Sequence, residues 1–442
     1  MNRRALLAGS LSALTSPALV RAAPLNLAGM RGTIDASEHG LRTGTYTDQT
    51  AAIARALDAG AEAKRPVWLP PGTYVVSRLA LPNRVPLLGV PGTVRLVQGS
   101  EGPLLTATGL VTVHISGIDF EGTSPAPPME GLLAMRGCPD VRIEACSIRG
   151  AGGIGLRLDR CGGDVEGTLI EGAKGLCALF ARDSTGLAIR DSRVRDCSDG
   201  GILVHRSSAG EDRTIVAGNR IERIGAASGG TGQWGNGINI YRAGAVQVSG
   251  NHIADSAFTA VRCNAASNAL ITGNTCLRSG ETGLYSEFGF QGAVVANNVV
   301  DGATIGISIA NFMQGGRLAT VANNVVRNLK TDGPYPPEVA GFGHGVVIEA
   351  DTALTGNVIE GAPRFGAILG WGPYLRDVAA TGNVVRDVDV GFAVSAVKDA
   401  GRARLSGNVI SARGAAVQGY EWLRPVTGDL TEGGALPNLH LG

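Results

Sequence analysis

Charge, aromatic rings and long apolar runs are all scarce in this chain. Of 442 residues only 17% are charged and 5% aromatic, and the formal charge is +1. With no basic run, the chain lacks the electropositive face that nucleic acid requires. No apolar stretch is long enough to anchor the chain stably in a bilayer, which takes about 20 residues as a helix. None of the seven cysteines forms a Cys-x-x-Cys pair, so a zinc module is not expected. The Leu-x-x-Leu-x-Leu frame of leucine-rich repeats is missing, and so are the longer period-3.6 runs of helical repeats. Glycine, by contrast, is abundant at 66 residues, without the Gly-x-y frame of collagen. A hydrophobic content of 44% excludes disorder.

What is present is a repeat. Gly250-Asn251-His252-Ile253 returns as Gly218-Asn219-Arg220-Ile221, Gly273-Asn274-Thr275-Cys276, Asn297-Asn298-Val299-Val300 and Asn323-Asn324-Val325-Val326. It continues as Gly356-Asn357-Val358-Ile359, Gly382-Asn383-Val384-Val385 and Gly407-Asn408-Val409-Ile410, with spacings of 23 to 33 residues. Degenerate copies run upstream through Ser192, Thr168 and Cys146. A period in the twenties means a solenoid. Between these motifs lie short runs that open with Gly or Ala, such as Gly237-Ile238-Asn239-Ile240-Tyr241 and Gly306-Ile307-Ser308-Ile309-Ala310. Their first and third residues after the small one are apolar and the second and fourth vary, which is the period of a strand with one buried face. Short strands, Gly-Asn turns and this period lead to an all-β parallel β-helix of 12–14 coils, expected to be right-handed and single-stranded. The Asn column reads as scaffold, with amides stacked at the strand spacing of ~4.8 Å.

The ends differ from the middle. Asn2-Arg3-Arg4-Ala5-Leu6-Leu7, a weakly apolar run to Val20 and the Val20-Arg21-Ala22 end have the form of a twin-arginine export signal over residues 1–22. Its removal leaves 36 basic against 38 acidic groups. Residues 23–66 hold a lead-in and an amphipathic helix with Ile53, Ala56, Leu57 and Ala61 on one face, introduced by Thr47-Asp48-Gln49-Thr50. An open solenoid end exposes core and strand edges, so this helix is the expected cap. Coils are expected over 67–419, irregular over 79–140, with 420–442 as a C-terminal cover. The helix and the strand after it, Leu69-Pro70-Pro71-Gly72-Thr73-Tyr74, resemble the entry segment of the pectate lyase-like superfamily. With the leader and the Gly-Asn coils, the whole chain is similar to the family of exported, twin-arginine-translocated repetitive β-helix proteins, whose activity is unassigned. The resemblance implies a superfamily rich in polysaccharide lyases, glycoside hydrolases and epimerases. Cys138 and Cys161 hold similar phases in neighbouring coils, leaving a disulfide and plain packing both open.

In a solenoid, function lies on one exposed face framed by insertions. Two long insertions emerge at one phase four coils apart, Glu222–Gly237 with Gln233 and Trp234, and Arg327–Gly345 with Tyr335 and His344. They are expected to wall off a groove of roughly 19 Å at ~4.8 Å per coil. Its floor is Leu203 and His205, Asn239 and Tyr241, Arg262 and Asn264, Tyr285 and Glu287, Ser308 and Ala310, Val347 and Glu349, with Arg206, Arg242 and Asn311 at strand ends. Uronate β-elimination needs cations or amides to neutralise the sugar carboxylate, a base and an acid, and Arg262, Tyr285, His205 and Glu287 are the candidates for these roles. Trp234, Asn239, Tyr241, Arg242, Asn264, Asn311 and Glu349 are the candidate substrate contacts. Hydrolysis instead needs two carboxyls, and Glu287 and Glu349 lie two coils apart, ~9.6 Å, at the inverting limit. The Asp cluster expected of a hydrolase in this superfamily is missing, and so is a close carboxylate cluster for calcium. The sequence therefore favours a lyase-like enzyme on acidic glycans. The alternatives are hydrolysis and a non-catalytic glycan-binding or cell-envelope protein. The expected partners are a polysaccharide or oligosaccharide and the export machinery, with no nucleic acid, no cofactor, and a periplasmic or secreted location.

Overall fold

The computed structural model describes residues 32–336 and 341–442. The proposed export signal lies outside them. The chain winds as a parallel β-solenoid whose strands fall into three sheets of 16, 15 and 14 strands, each strand between the two ends pairing with those three places before and after it. Pairing is parallel among the described strands, apart from the short antiparallel hairpin of Val417–Glu421 with Arg424–Pro425. Inward apolar residues from all three sheets fill one continuous core.

The repeat has two physical causes. Each Asn sits at the corner leading into the 14-stranded sheet, and all of those from Asn219 to Asn383 are buried. The Asn298 amide donates to Asn324 Oδ1 at 3.0 Å and to the Ile271 carbonyl at 3.0 Å, while its own oxygen accepts from the Asn274 backbone N–H at 2.9 Å. The same bonds repeat from Asn219 to Asn408. Upstream, Ser192 and Thr168 continue the column by accepting or donating through hydroxyl and backbone. The ladder satisfies the buried backbone at a turn where the sheets cannot.

The second cause is crowding. At the corner into the 15-stranded sheet a Cβ on Gly306 would lie 2.4 Å from the Gly345 carbonyl oxygen, and one on Gly345 2.2 Å from that of Gly366. Little room is left there, and from Gly155 to Ala416 each of these strands is opened by Gly or Ala, whereas Leu132 and Leu104 hold the place in the earlier coils. Gly345→Ala is expected to destabilise by about 1–3 kcal/mol through forced backbone displacement, seen as a lower urea midpoint.

The helix spans Thr50–Ala63. Asp48 accepts the Thr50 N–H at 2.7 Å, and Ala52, Ile53, Ala56, Leu57 and Gly60 are buried. Ala61 is exposed, contrary to the expected face, because Gly60 makes the close approach to Val67. Residues 79–140 are not irregular. They form ordinary coils, with strands such as Val94–Gln98, Thr112–Ser116 and Gly131–Arg136 in register with their neighbours. Their turns lack the Gly-Asn signal, and Pro125–Pro128 do form an exposed loop. The last segment is more than a cover, since Leu439–Leu441 pairs with Ala403–Ser406 and extends the 16-stranded sheet. All seven cysteines are buried free thiols, and Cys138 and Cys161 are not bonded to each other.

Candidate functional site

The outer face of the 15-stranded sheet carries the expected columns. Leu203, Asn239, Arg262, Tyr285, Ser308 and Val347 are successive register partners, and so are His205, Tyr241, Asn264 and Glu287. Ala310 and Glu349 directly follow the paired residues Ile309 and Ile348, at the phase that continues the second column. Constant strand phase set these rows, and the structure reproduces them.

Their chemistry is less open than the sequence implies. Arg262 Nε donates to Glu287 at 2.5 Å, and its side chain is only 13% exposed against 3% for Glu287. The same guanidinium donates to the Gly232 carbonyl, and Asn264 Nδ2 donates to Glu287 at 2.9 Å. Burial works against the Arg262 charge, but the Glu287 carboxylate holds the proton on firmly. Arg262 is thus a paired cation, not the free one expected. Tyr285 packs beside it, with the guanidinium 5.8 Å from its ring centroid. Burial and the two nearby carboxylates push the Tyr285 phenol above its ordinary value, which makes it a poor base. His205 sits edge-on between Phe180 and Tyr241 at 5.3 and 5.5 Å, where burial lowers its pKa to about 4. It is neutral at pH 7.

The remaining sequence candidates sort by contact. Asn239 is 8% exposed, and its Oδ1 is buried without a partner. The Arg242 guanidinium lies 4.8 Å from the Tyr241 ring centroid and donates to the Ser207 carbonyl at 3.2 Å. Trp234 is not a free platform, because it packs on the apolar cluster of Ile154, Leu176, Cys177, Phe180 and Leu203. Asn311 turns the chain with φ 68°, and its Oδ1 accepts the Phe288 N–H at 3.2 Å, so it serves the turn. Glu349 is 8% exposed, accepts the Phe312 N–H at 2.5 Å, and is pushed by burial up to about 7.

The two insertions do not stand as separate end walls. The Phe258 N–H donates to the Gly235 carbonyl of the first at 2.9 Å, and the Phe258 ring stacks on Tyr335 of the second at 6.0 Å. Phe258 thus links the first loop to the second. Glu281, which spacing did not reveal, fastens the second insertion to the coil edge at Thr259. It accepts from Tyr335 Oη at 2.7 Å and from Thr259 Oγ1 at 2.9 Å, and burial raises its pKa despite these bonds. One signal was available: a carboxyl at the coil phase where its neighbours place Phe258 and Thr304.

A family model described as a right-handed β-helix region matches residues 210–385. The hand of the coil follows from it. Residues 210–385 thus match the right-handed β-helix repeat within a longer parallel β-solenoid. A second model, described as the periplasmic copper-binding protein NosD, matches residues 129–282. Among the described residues no three His, Cys, Asp or Glu side chains come together to hold a metal ion. The thiols within the matched span are buried, Cys263 and Cys276 being pushed up to about 12 by that burial, so these residues do not fit copper. No curated protein matches the sequence. Among solved structures, this β-helix is similar to the Dettilon tailspike protein gp208 at 14% identity and TM-score 0.53, over 88% of this chain and 71% of that one. It is similar to the pre-mature bacteriophage phi29 gene product 12 at 15% and 0.53, over 88% and 55%. It is also similar to the A-module of the Azotobacter vinelandii mannuronan C-5 epimerase AlgE6 at 16% and 0.47, over 85% and 99%. At these identities the likeness is one of fold. No helix among the described residues is long and apolar enough to cross a membrane.

Proposed function

We propose that this protein is exported and acts on a glycan laid along the 15-stranded face, cleaving it hydrolytically with Glu287 and Glu349. The observation that carries this reading is the column Glu287, Ala310, Glu349. Two carboxyls flank one small residue at a separation of two coils, ~9.6 Å by strand spacing, at the upper limit of the separations that hold a water for inversion. Their environments differ in the way an acid–base pair requires. Glu287 is held by Arg262 and Asn264, which suits a carboxylate that activates water. Glu349 is shifted by burial up to about 7, which suits a proton donor to the leaving oxygen. β-Elimination, which the sequence favoured, is less well served. Its cation is already paired, its Tyr is not readily ionised, and its His binds a proton only near pH 4.

Export rests on the Arg3-Arg4 leader and agrees with the periplasmic family matched over residues 129–282. The test incubates mature protein with neutral and acidic polysaccharides, following reducing ends and absorbance near 232 nm together. Reducing ends without absorbance are expected, with the first product of inverted anomeric configuration by NMR. New absorbance would mean unsaturated uronate ends and would replace hydrolysis by elimination. Binding without any product would leave a non-catalytic glycan-binding protein.

A further inference from the structure

On the same face, beginning one coil beyond Glu349 and using neither it nor Glu287, an aromatic cluster closes the solenoid. Trp371 and Trp422 meet edge to face at 5.4 Å and 75°, and Phe365 meets Tyr420 at 5.3 Å and 82°. Together with Ser395 they line a narrow crevice to which no charged side chain contributes.

Two features show that Trp422 is held against local preference. It is the first tip residue of the two-residue turn between Tyr420–Glu421 and Arg424–Pro425, and its φ is 57°. A left-handed φ at the first tip position alone is the pattern in which glycine is the usual choice, and for a bulky residue it is an outlier. Opposite it, a Cβ on Gly372 would lie 2.3 Å from the indole, so the ring rests directly on bare backbone. Even so, Trp422 stays 47% exposed. A ring needed only as a plug would be covered.

We infer that Trp422 and Trp371 form a stacking subsite for an uncharged pyranose unit of a glycan. Indole faces suit the C–H face of a sugar ring, and the Tyr420 hydroxyl, which donates to Gln418 Oε1 at 2.9 Å, can accept from a sugar hydroxyl at the rim. The absence of charge in the lining selects a neutral ring over a uronate. The nearest ionic groups at the turn, Glu421 and Arg424, pair with each other. The crevice is too narrow to swallow a ring, so the sugar lies across its mouth on the exposed indole face. The subsite lies on the face proposed to hold substrate but does not depend on the carboxyl pair.

The test uses the full mature chain and its Trp422→Gly and Glu349→Gln variants. Cellohexaose and maltohexaose are the neutral probes and polygalacturonate the acidic one, read by tryptophan emission and calorimetry. A neutral hexamer is expected to shift the emission, and Trp422→Gly to weaken its binding at least tenfold without lowering the melting temperature, since glycine takes φ 57° freely. Glu349→Gln is expected to lose turnover but keep the hexamer-induced shift in tryptophan emission, whereas Trp422→Gly loses that shift, so failed catalysis and a failed subsite give different results. The inference is overturned if neither hexamer binds, if polygalacturonate alone does, or if Trp422→Gly melts markedly lower with affinity unchanged. A concentration-dependent dimer abolished by Trp422→Gly would instead assign the rings to contact between copies of this chain.

Discussion

Glu349→Gln is expected to lower turnover of a susceptible glycan by about 10²–10⁴-fold, the range for loss of a positioned general acid. The amide can still accept the Phe312 N–H that Glu349 accepts at 2.5 Å, so the turn should persist. Because the acid acts protonated, parent kcat should fall as pH rises through about 7. Stability has a sign of its own. Burial raises the folded pKa from 4.5 to about 7, so the folded state binds this proton more tightly. The resulting contribution is complete below pH 4.5 and lost as pH rises through 7. The neutral amide of Glu349→Gln carries no such loss, and the variant should be more stable than the parent above pH 7 by on the order of 1–3 kcal/mol. A variant that retains more than a tenth of parental turnover would remove Glu349 from the chemistry. A melting temperature that does not rise at pH 8 would show that the carboxyl is better solvated than its burial implies.

The second large effect is structural. Asn298→Ala removes the side-chain donor to the Ile271 carbonyl and the acceptor of the Asn274 backbone N–H in a site that excludes water, while Asn324 Oδ1 keeps the residue 298 N–H and Asn274 Nδ2 keeps the Val248 and Thr272 carbonyls. At about 1–3 kcal/mol for each of these two groups, partly relieved by relaxation, the loss should be about 2–4 kcal/mol. Solenoid stability is close to a sum of coil and interface contributions, so the effect belongs to the neighbouring coils. Amide exchange at Asn274 should speed up by about 10²-fold, while coils near Val94–Gln98 stay unchanged. Asn408, the last rung, is half-buried and donates only to the Ala380 carbonyl, so its replacement should cost less. Equal losses at the two positions would mean that the ladder is not what holds the corner.

Much of the molecule is legible without coordinates. The Gly-Asn recurrence marks the ladder corner and the Gly or Ala openings mark the crowded one, because each is a steric or hydrogen-bonding demand repeated once per coil. Residues 79–140 look irregular for the same reason: their coils meet those demands without Asn, so the signal fades while the register does not. Trp234 and Asn311 resemble ligand contacts in the sequence because both are polar or aromatic at the right phase. Phase does not report what lies opposite. One is packed on Phe180 and Leu203, and the other is bonded to the backbone of Phe288.

The sequence by itself determined the architecture and the rows of paired residues that share a face, because nearly constant coil length converts spacing directly into register. Only the tertiary structure decided which of those groups are still available. Arg262 is neutralised by Glu287, the insertions meet at Phe258 and Tyr335 instead of standing apart, and the Trp422 ring is carried onto Gly372 by the final turn. Pairing between coils and the course of loops of unequal length depend on side-chain reach and burial, and neither is written in the period.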